Sequence, residues 1–259
     1  MITRRPPGAV MPMHVNYAYL LYKARELSPG GPVLDYGCGA GEVVEAGVSR
    51  GLDVWGADSF FCGDPGAARK KGLLGDRVRE IKDGRIPFET ETFSLVVSNQ
   101  VFEHVEDLSR VLSEIHRVLA PSGRLLTLFP DRGVIREGHY GIPGSHWMPR
   151  GSRARYWWML AGRSMGLGAL KGEKPRSVWA REAADYLDRA VFHRSRREIR
   201  ALMEPLFDSR FIEDDYCAFR LTRQGHPRLA RAARLPVARQ AGNELFRRLS
   251  GLVILAKKK

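Results

Sequence analysis

Cysteine is scarce in this sequence: Cys38, Cys62 and Cys217 are the only three in 259 residues. Their spacing fits neither a disulfide framework nor a set of thiolate metal ligands, so no stapled module and no metal centre is expected. Long apolar runs are also missing. Nothing approaches the roughly 18 apolar residues that mark a membrane-spanning helix. At the N-terminus, Arg4 and Arg5 run into Pro6-Pro7-Gly8, without the apolar stretch of a secretory leader. A cytoplasmic protein with free thiols is the economical expectation. Internal repeats and low-complexity tracts are absent too. The length suits one large core, or one core with an inserted subdomain.

The second half is poor in acids. Residues 131–259 hold 27 of the 42 Lys and Arg but 13 of the 29 Asp and Glu, while residues 1–130 are close to neutral. Such asymmetry suits an anionic partner: a phosphorylated or nucleotide-linked molecule, nucleic acid, or an anionic membrane surface. An arginine-rich solvated face would give the same count.

What the chain does have is the stretch Val33-Leu34-Asp35-Tyr36-Gly37-Cys38-Gly39-Ala40-Gly41-Glu42. It reads as a buried strand, a glycine-rich turn and the start of a helix. Alternate glycines bend the backbone tightly and leave no Cβ in the way of a ligand. The spacing departs from the dinucleotide fingerprint. A helix over 42–50 follows, then a strand over 53–58 whose last residue, Asp58, can reach ribose hydroxyls beside the turn.

Apolar periodicity places a helix over 14–27 before this unit and a short helix over 65–71 after it. Strands are expected over 78–82, 93–98 and 124–129, with a turn at Asp83-Gly84. Asp107 opens a helix with one apolar face. Strands alternating with helices imply a parallel sheet with right-handed crossovers. Beyond residue 190 a helix is expected over 195–207, a strand over 211–221, a basic segment, and a final strand over 251–256.

Across residues 28–130 the glycine turn, Asp58, Pro87-Phe88, Phe93-Ser94-Leu95-Val96 and the passage through Pro121-Ser122-Gly123 into the next strand resemble the class I S-adenosylmethionine-dependent methyltransferases. The resemblance implies an α/β, Rossmann-like fold. Its mostly parallel seven-stranded sheet would carry helices on both faces, a closing antiparallel hairpin, and an inserted cap after strand five. Residues 1–130 would then be the cofactor-binding half, 131–193 the cap with the substrate segment, and 194–259 the part that completes the sheet. S-adenosylmethionine is the implied cofactor. Asp35, Gly37, Gly39 and Gly41 would border its methionine and ribose, Asp58 the ribose hydroxyls, Asp83 and Gly84 the adenine, and Asn99 and Gln100 the methionine end. Cys38 belongs to the same turn, its thiol read as a small buried filler.

The segment His139–Trp147 resembles, in turn, bacterial methyltransferases that act on glycans, glycan precursors or glycosylated natural products. The expected reaction is O-methylation of a sugar, glycan precursor or other small molecule. Aromatic faces would stack on the acceptor, and arginines such as Arg150, Arg153 and Arg155 would hold a phosphate, nucleotide or lipid-linked diphosphate. Peripheral contact with an anionic inner-membrane surface is compatible with the basic, Trp-rich helix around residues 150–158. An RNA methyltransferase is the alternative. Strand four ends in Ser-Asn-Gln-Val instead of Asn-Pro-Pro-Tyr, and no cysteine follows a proline, so nucleic acid is the less favoured partner. A catalytically inactive, cofactor-binding partner subunit is a further reading. A hydroxyl acceptor needs a base near neutral pH. His139 and His146, in the Gly/Pro-rich loop, are the candidates, with His104 in reserve and Glu103 behind it.

Overall fold

The computed structural model describes residues 13–60, 66–172, 174–233 and 235–259. The expected N-terminal arm lies almost wholly outside the described residues, as do Cys62 and Pro65.

The first half alternates as its sequence requires. In order come α1 (Val15–Leu27), β1 (Val33–Tyr36), α2 (Glu42–Val48), β2 (Val54–Asp58), α3 (Gly66–Lys70), β3 (Val78–Glu80), β4 (Phe93–Asn99), α4 (Leu108–Val118) and β5 (Leu119–Phe129). The Asp107 side chain caps α4 by accepting from Arg110 N. The second half holds α5 (Arg153–Ser164), α6 (Arg176–Ala190), α7 (Arg196–Met203), β6 (Phe207–Phe211), α8 (Glu213–Arg223), α9 (Pro227–Ala232), α10 (Pro236–Leu249) and β7 (Leu252–Lys258).

The seven strands form one sheet in the order β3-β2-β1-β4-β5-β7-β6. β1 to β5 pair in parallel, while β7 runs antiparallel to both β5 and β6. This is the mostly parallel, hairpin-closed sheet of the expected fold. Alternating strand residues feed two core layers. Leu34, Val96, Leu125 and Ile254 face the layer that holds α4 and α7. Val33, Leu95, Leu126 and Val253 face the layer that holds α1, α2 and α8. A register irregularity between Phe93 and Leu95 puts Phe93 in the same layer as Val96. The chain runs outward from β1 to β3 and then returns to β4 on the other side of β1. That reversal opens a crevice at the carboxyl ends of β1 and β4.

Two expectations fail in the last third. The strand expected over 211–221 is instead the end of β6 followed by α8. Glu213, Asp214 and Asp215 fill the first turn of that helix, where acids are favoured. Ile212, Tyr216 and Phe219, at helical spacing, pack on the core. The helix over 195–207 is shorter than expected, because Phe207 already belongs to β6. The basic segment is helical, forming α9 and α10.

Between β5 and α7 the segment containing α5 and α6 has an apolar cluster of its own, centred on Ile142, Met159, Trp179 and Leu187. It is separate from the two sheet layers. No helix of the described residues is long and apolar enough to cross a membrane.

Candidate cofactor and acceptor site

Gly37, Gly39 and Gly41 follow β1 with φ of +78°, +52° and +76°. Only glycine takes such values without strain. A Cβ on Gly37 would come within 2.3 Å of Val101 Cγ2, whereas one on Gly39 would meet nothing within 4 Å. Gly37 is thus fixed by packing, and Gly39 presents its backbone to open space. The Asp58 carboxylate crosses from β2 to hold this turn. Its Oδ2 accepts from Gly39 N at 2.7 Å, and its Oδ1 accepts from Phe60 N at 2.6 Å.

A cavity of about 700 Å³ opens here, lined by Gly37, Asp58, Asp83, Gly84, Gln100 and His104. Arg189 and Phe192, from the end of α6 and beyond, close its other side. The Asp83-Gly84 turn has positive φ at both residues, and Arg110 steadies it by donating to Asp83 O. Gln100 has φ of +57° at the end of β4, held by its N–H on Leu128 O at 2.7 Å. Strain of this kind, kept by the surrounding fold, is typical of binding sites. Five of the sequence-derived cofactor residues therefore meet at one cavity.

The others are placed differently. Gly41 starts α2, its N–H on Cys38 O. Cys38 turns inward: a Cβ on Gly56 would lie 2.6 Å from its Sγ, and burial pushes the thiol pKa up. It is a core filler. Asn99 faces α1, its Oδ1 accepting from Asn16 Nδ2 at 2.8 Å. There it borders a second cavity, of about 680 Å³, between α1 and the ends of β4, β5 and β7; Gln100 lines both cavities. Asp35 is buried within β1. Burial first, then the charges of Asp58 and Glu42, raise its carboxyl to about 8. This is a locally electronegative spot that a cation would relieve.

The histidines divide into two pairs. His139 Nε2 lies 3.1 Å from His104 Nε2. His104 Nδ1 faces Ala190 O at 2.7 Å, and His139 Nδ1 faces Glu137 Oε1 at 2.5 Å. A carbonyl and a carboxylate only accept, so both Nδ1 atoms carry hydrogens. The two Nε2 atoms must then share one proton. Burial alone would raise Glu137 and lower His139, but their hydrogen bond and opposite charges win. Glu137 ends below the usual carboxylate range and His139 above the usual histidine value. Burial lowers His104. Glu103, buried beside them, has an Oε2 without a partner, and desolvation pushes its carboxyl up to about 8.

His146 belongs elsewhere. Its ring sits 4.6 Å from that of His193, both bordering a different cavity beside the apolar cluster of α5 and α6. Grouping His146 with His139 over the cofactor site is therefore corrected. The short helical turn at 145–147 buries its ring away from that cavity.

Sequence reasoning missed Glu137, Asn16, Arg189 and Phe192. The Glu137-Gly138-His139 triplet was a usable signal for the first. The others carry none, because their roles come from distant elements meeting.

A methyltransferase domain model matches residues 34–127. An uncharacterized 37.1 kDa protein in transposon TN4556 of Streptomyces fradiae is 32% identical over 120 residues, 45% of this chain and 35% of that protein. A ubiquinone biosynthesis O-methyltransferase of Sinorhizobium medicae is 26% identical over 167 residues, 57% of this chain and 67% of the enzyme. The chain thus spans about a third of the first relative's length and two thirds of the second's. Among solved structures, an S-adenosylmethionine-dependent methyltransferase from Mesorhizobium loti superposes with a TM-score of 0.54 at 17% identity, covering 95% of this chain and 98% of that one. That likeness is one of fold.

Proposed function

We propose that this chain, whose residues 34–127 match a methyltransferase domain model, is a class I S-adenosylmethionine-dependent O-methyltransferase acting on a hydroxylated small molecule. The observation that carries this reading is the joining of cofactor and base groups in one cavity. The glycine turn, Asp58, the Asp83-Gly84 turn and His104 all line it, and His139 stands behind His104. The residues fit the cofactor. Gly39 leaves room for close approach, Asp58 keeps free lone pairs for ribose hydroxyls, and Asp35 offers a buried carboxyl to a cation. S-adenosylmethionine supplies an activated methyl on a sulfonium.

The protein's part is to orient the acceptor, exclude water and remove a proton. His104 is the pair member that lines the cavity. With the shared Nε2 proton gone, its lone pair accepts the acceptor's O–H proton as the oxygen takes the methyl group. His139 and Glu137 are positioning residues that set the protonation of His104. The name of the Sinorhizobium relative supports an oxygen acceptor. A sugar is one such acceptor, but the aromatic residues expected to stack on it are partly committed elsewhere. Trp147 and Trp158 donate their indole N–H groups to the carbonyls of Arg132 and Pro143.

Methyl-labelled cofactor incubated with pools of hydroxylated metabolites tests this reading. His104→Ala should lower turnover by about 10²–10⁴-fold at saturating cofactor, the usual contribution of a base. Cofactor affinity should hold. A loss below about tenfold would remove His104 from the role.

A further inference from the structure

A smaller cavity, of about 290 Å³, lies on the far side of Phe192 from the cofactor site. Arg132, Arg150, Arg155, Arg194, His146 and His193 line it, with an apolar wall from the end of α6. We propose that this cavity is a subsite for a phosphate-type oxyanion, a phosphate monoester or diphosphate, carried by the methyl acceptor. The assignment to the acceptor rests on the methyltransferase reading above.

Charge is the first ground. Among the described residues, Asp188 is the one carboxylate bonded to any of the four guanidinium groups, through Arg155. Arg150 donates instead to the carbonyls of Asp188 and Val191, and it stacks on Phe192 with 4.3 Å to the ring centre. Arg194 donates to the carbonyls of Phe102, Val105, Glu106 and Phe192. Carbonyl bonds fix a guanidinium in place without cancelling its charge. The neighbouring acids are already occupied: Glu137 by His139 and Tyr140 N, Glu198 by Ser195. The cavity is left strongly positive, which disfavours a metal cation on the histidines and favours an anion.

Unmet hydrogen bonding is the second ground. Nine buried side-chain nitrogen or oxygen atoms of the described residues have no partner, and four of them belong to residues lining this cavity. They are Arg155 Nε, His146 Nδ1, His146 Nε2 and His193 Nε2. Arg155 is 3% exposed and His146 7%, so whatever serves these atoms must enter the cavity. Backbone groups of Arg132 and Val134 approach the His146 ring without completing a hydrogen bond. Folded proteins rarely leave such groups unpaired, and an ordered water, an ion or a ligand completes them. The guanidinium fork suits oxyanions. The volume, several times the roughly 30 Å³ share of one liquid water, admits a phosphate or diphosphate.

Position is the third. Phe192 lines both cavities. Its N–H donates to Glu103 O at 2.6 Å, and Arg194 clasps the carbonyls on either side of His104. A single strip of chain, 192–194, divides the anion cavity from the proposed base. An acceptor anchored on one side would present its hydroxyl on the other.

The test uses sodium pyrophosphate, titrated calorimetrically into the full chain, with S-adenosylhomocysteine titrated into the same preparation. Arg132→Gln/Arg150→Gln is the matched variant, since both side chains are exposed and removable without opening the core. Saturable binding tighter than about 1 mM is expected, weakened at least about tenfold in the variant. Histidine ring resonances of His146 and His193 should shift, and S-adenosylhomocysteine affinity should stay unchanged. Pyrophosphate should also compete with the acceptor for methyl transfer, and phosphatase treatment of the metabolite pool should abolish labelling. Absence of saturable binding, or binding indifferent to the variant, overturns the site. Binding without competition makes it a site for free anion and overturns the acceptor assignment. Loss of S-adenosylhomocysteine binding in the wild type would instead strike the methyltransferase reading, leaving the pyrophosphate result to judge the cavity.

Discussion

Asp35 sits buried beside Asp58 and Glu42, and its carboxyl, raised to about 8, is largely protonated at neutral pH. A cation beside it binds best to the ionised form, so binding should expel a proton. Affinity for S-adenosylmethionine should therefore climb from pH 6 to pH 8 and level off above, and Asp35→Asn should flatten the profile. Calorimetry across that range checks it, and a flat wild-type profile would refute the role. The same shift has a stability consequence of opposite sign. The folded chain holds a proton that the unfolded chain releases near the ordinary carboxylate range, so this group's contribution is lost as pH rises towards 8. Asp35→Asn should match the wild type near pH 4 and melt higher than it at pH 9.

Glu137→Gln isolates a different residue. The glutamine can still accept from His139 Nδ1 but loses the charge that holds the His139 pKa up. The rising limb of turnover against pH, which belongs to the histidine pair as a unit, should move to lower pH. An unmoved limb would show that Glu137 does not act through His139.

At the scale of elements, the segment of α5 and α6 is a small structure resting on its own cluster. Trp179→Ala should cost that cluster about 3–5 kcal/mol, enough to expose residues 150–190 to limited proteolysis. Turnover should fall further than cofactor affinity. Equal losses in both would mean that the segment supports the cofactor site as a whole. The elements up to β5 were legible in the sequence because each has one strong period and a clear stop, such as Asp107 before α4 or Gly51 after α2. The α8 segment departs from the expected strand, since Ile212, Tyr216 and Phe219 do not decide between strand and helix until the partner surface is known. The glycine turn was legible for the same local reason. The histidine pair was only half legible: His104 and His139 are 35 residues apart, and only the fold brings their Nε2 atoms to 3.1 Å.

At the scale of the whole molecule, the two halves of the chain differ in charge and contribute different parts of the fold. The near-neutral half builds the sheet to β5 and most of the cavity proposed for the cofactor. The basic half supplies β6, β7, the α5–α6 segment and all four arginines of the smaller cavity beside that segment. Everything depends on the cavity at the β1–β4 crevice taking the cofactor through Asp58 and the glycine turn. Calorimetric titration of S-adenosylhomocysteine into the wild type, Asp58→Asn and Asp58→Ala tests this most directly, with circular dichroism confirming that each is folded. The wild type should bind stoichiometrically. Asp58→Ala should lose roughly 1.5–3 kcal/mol for each charged hydrogen bond removed, and Asp58→Asn, which keeps an acceptor for Gly39 N, should fall between. Unchanged affinity in a folded Asp58→Ala protein would contradict the account.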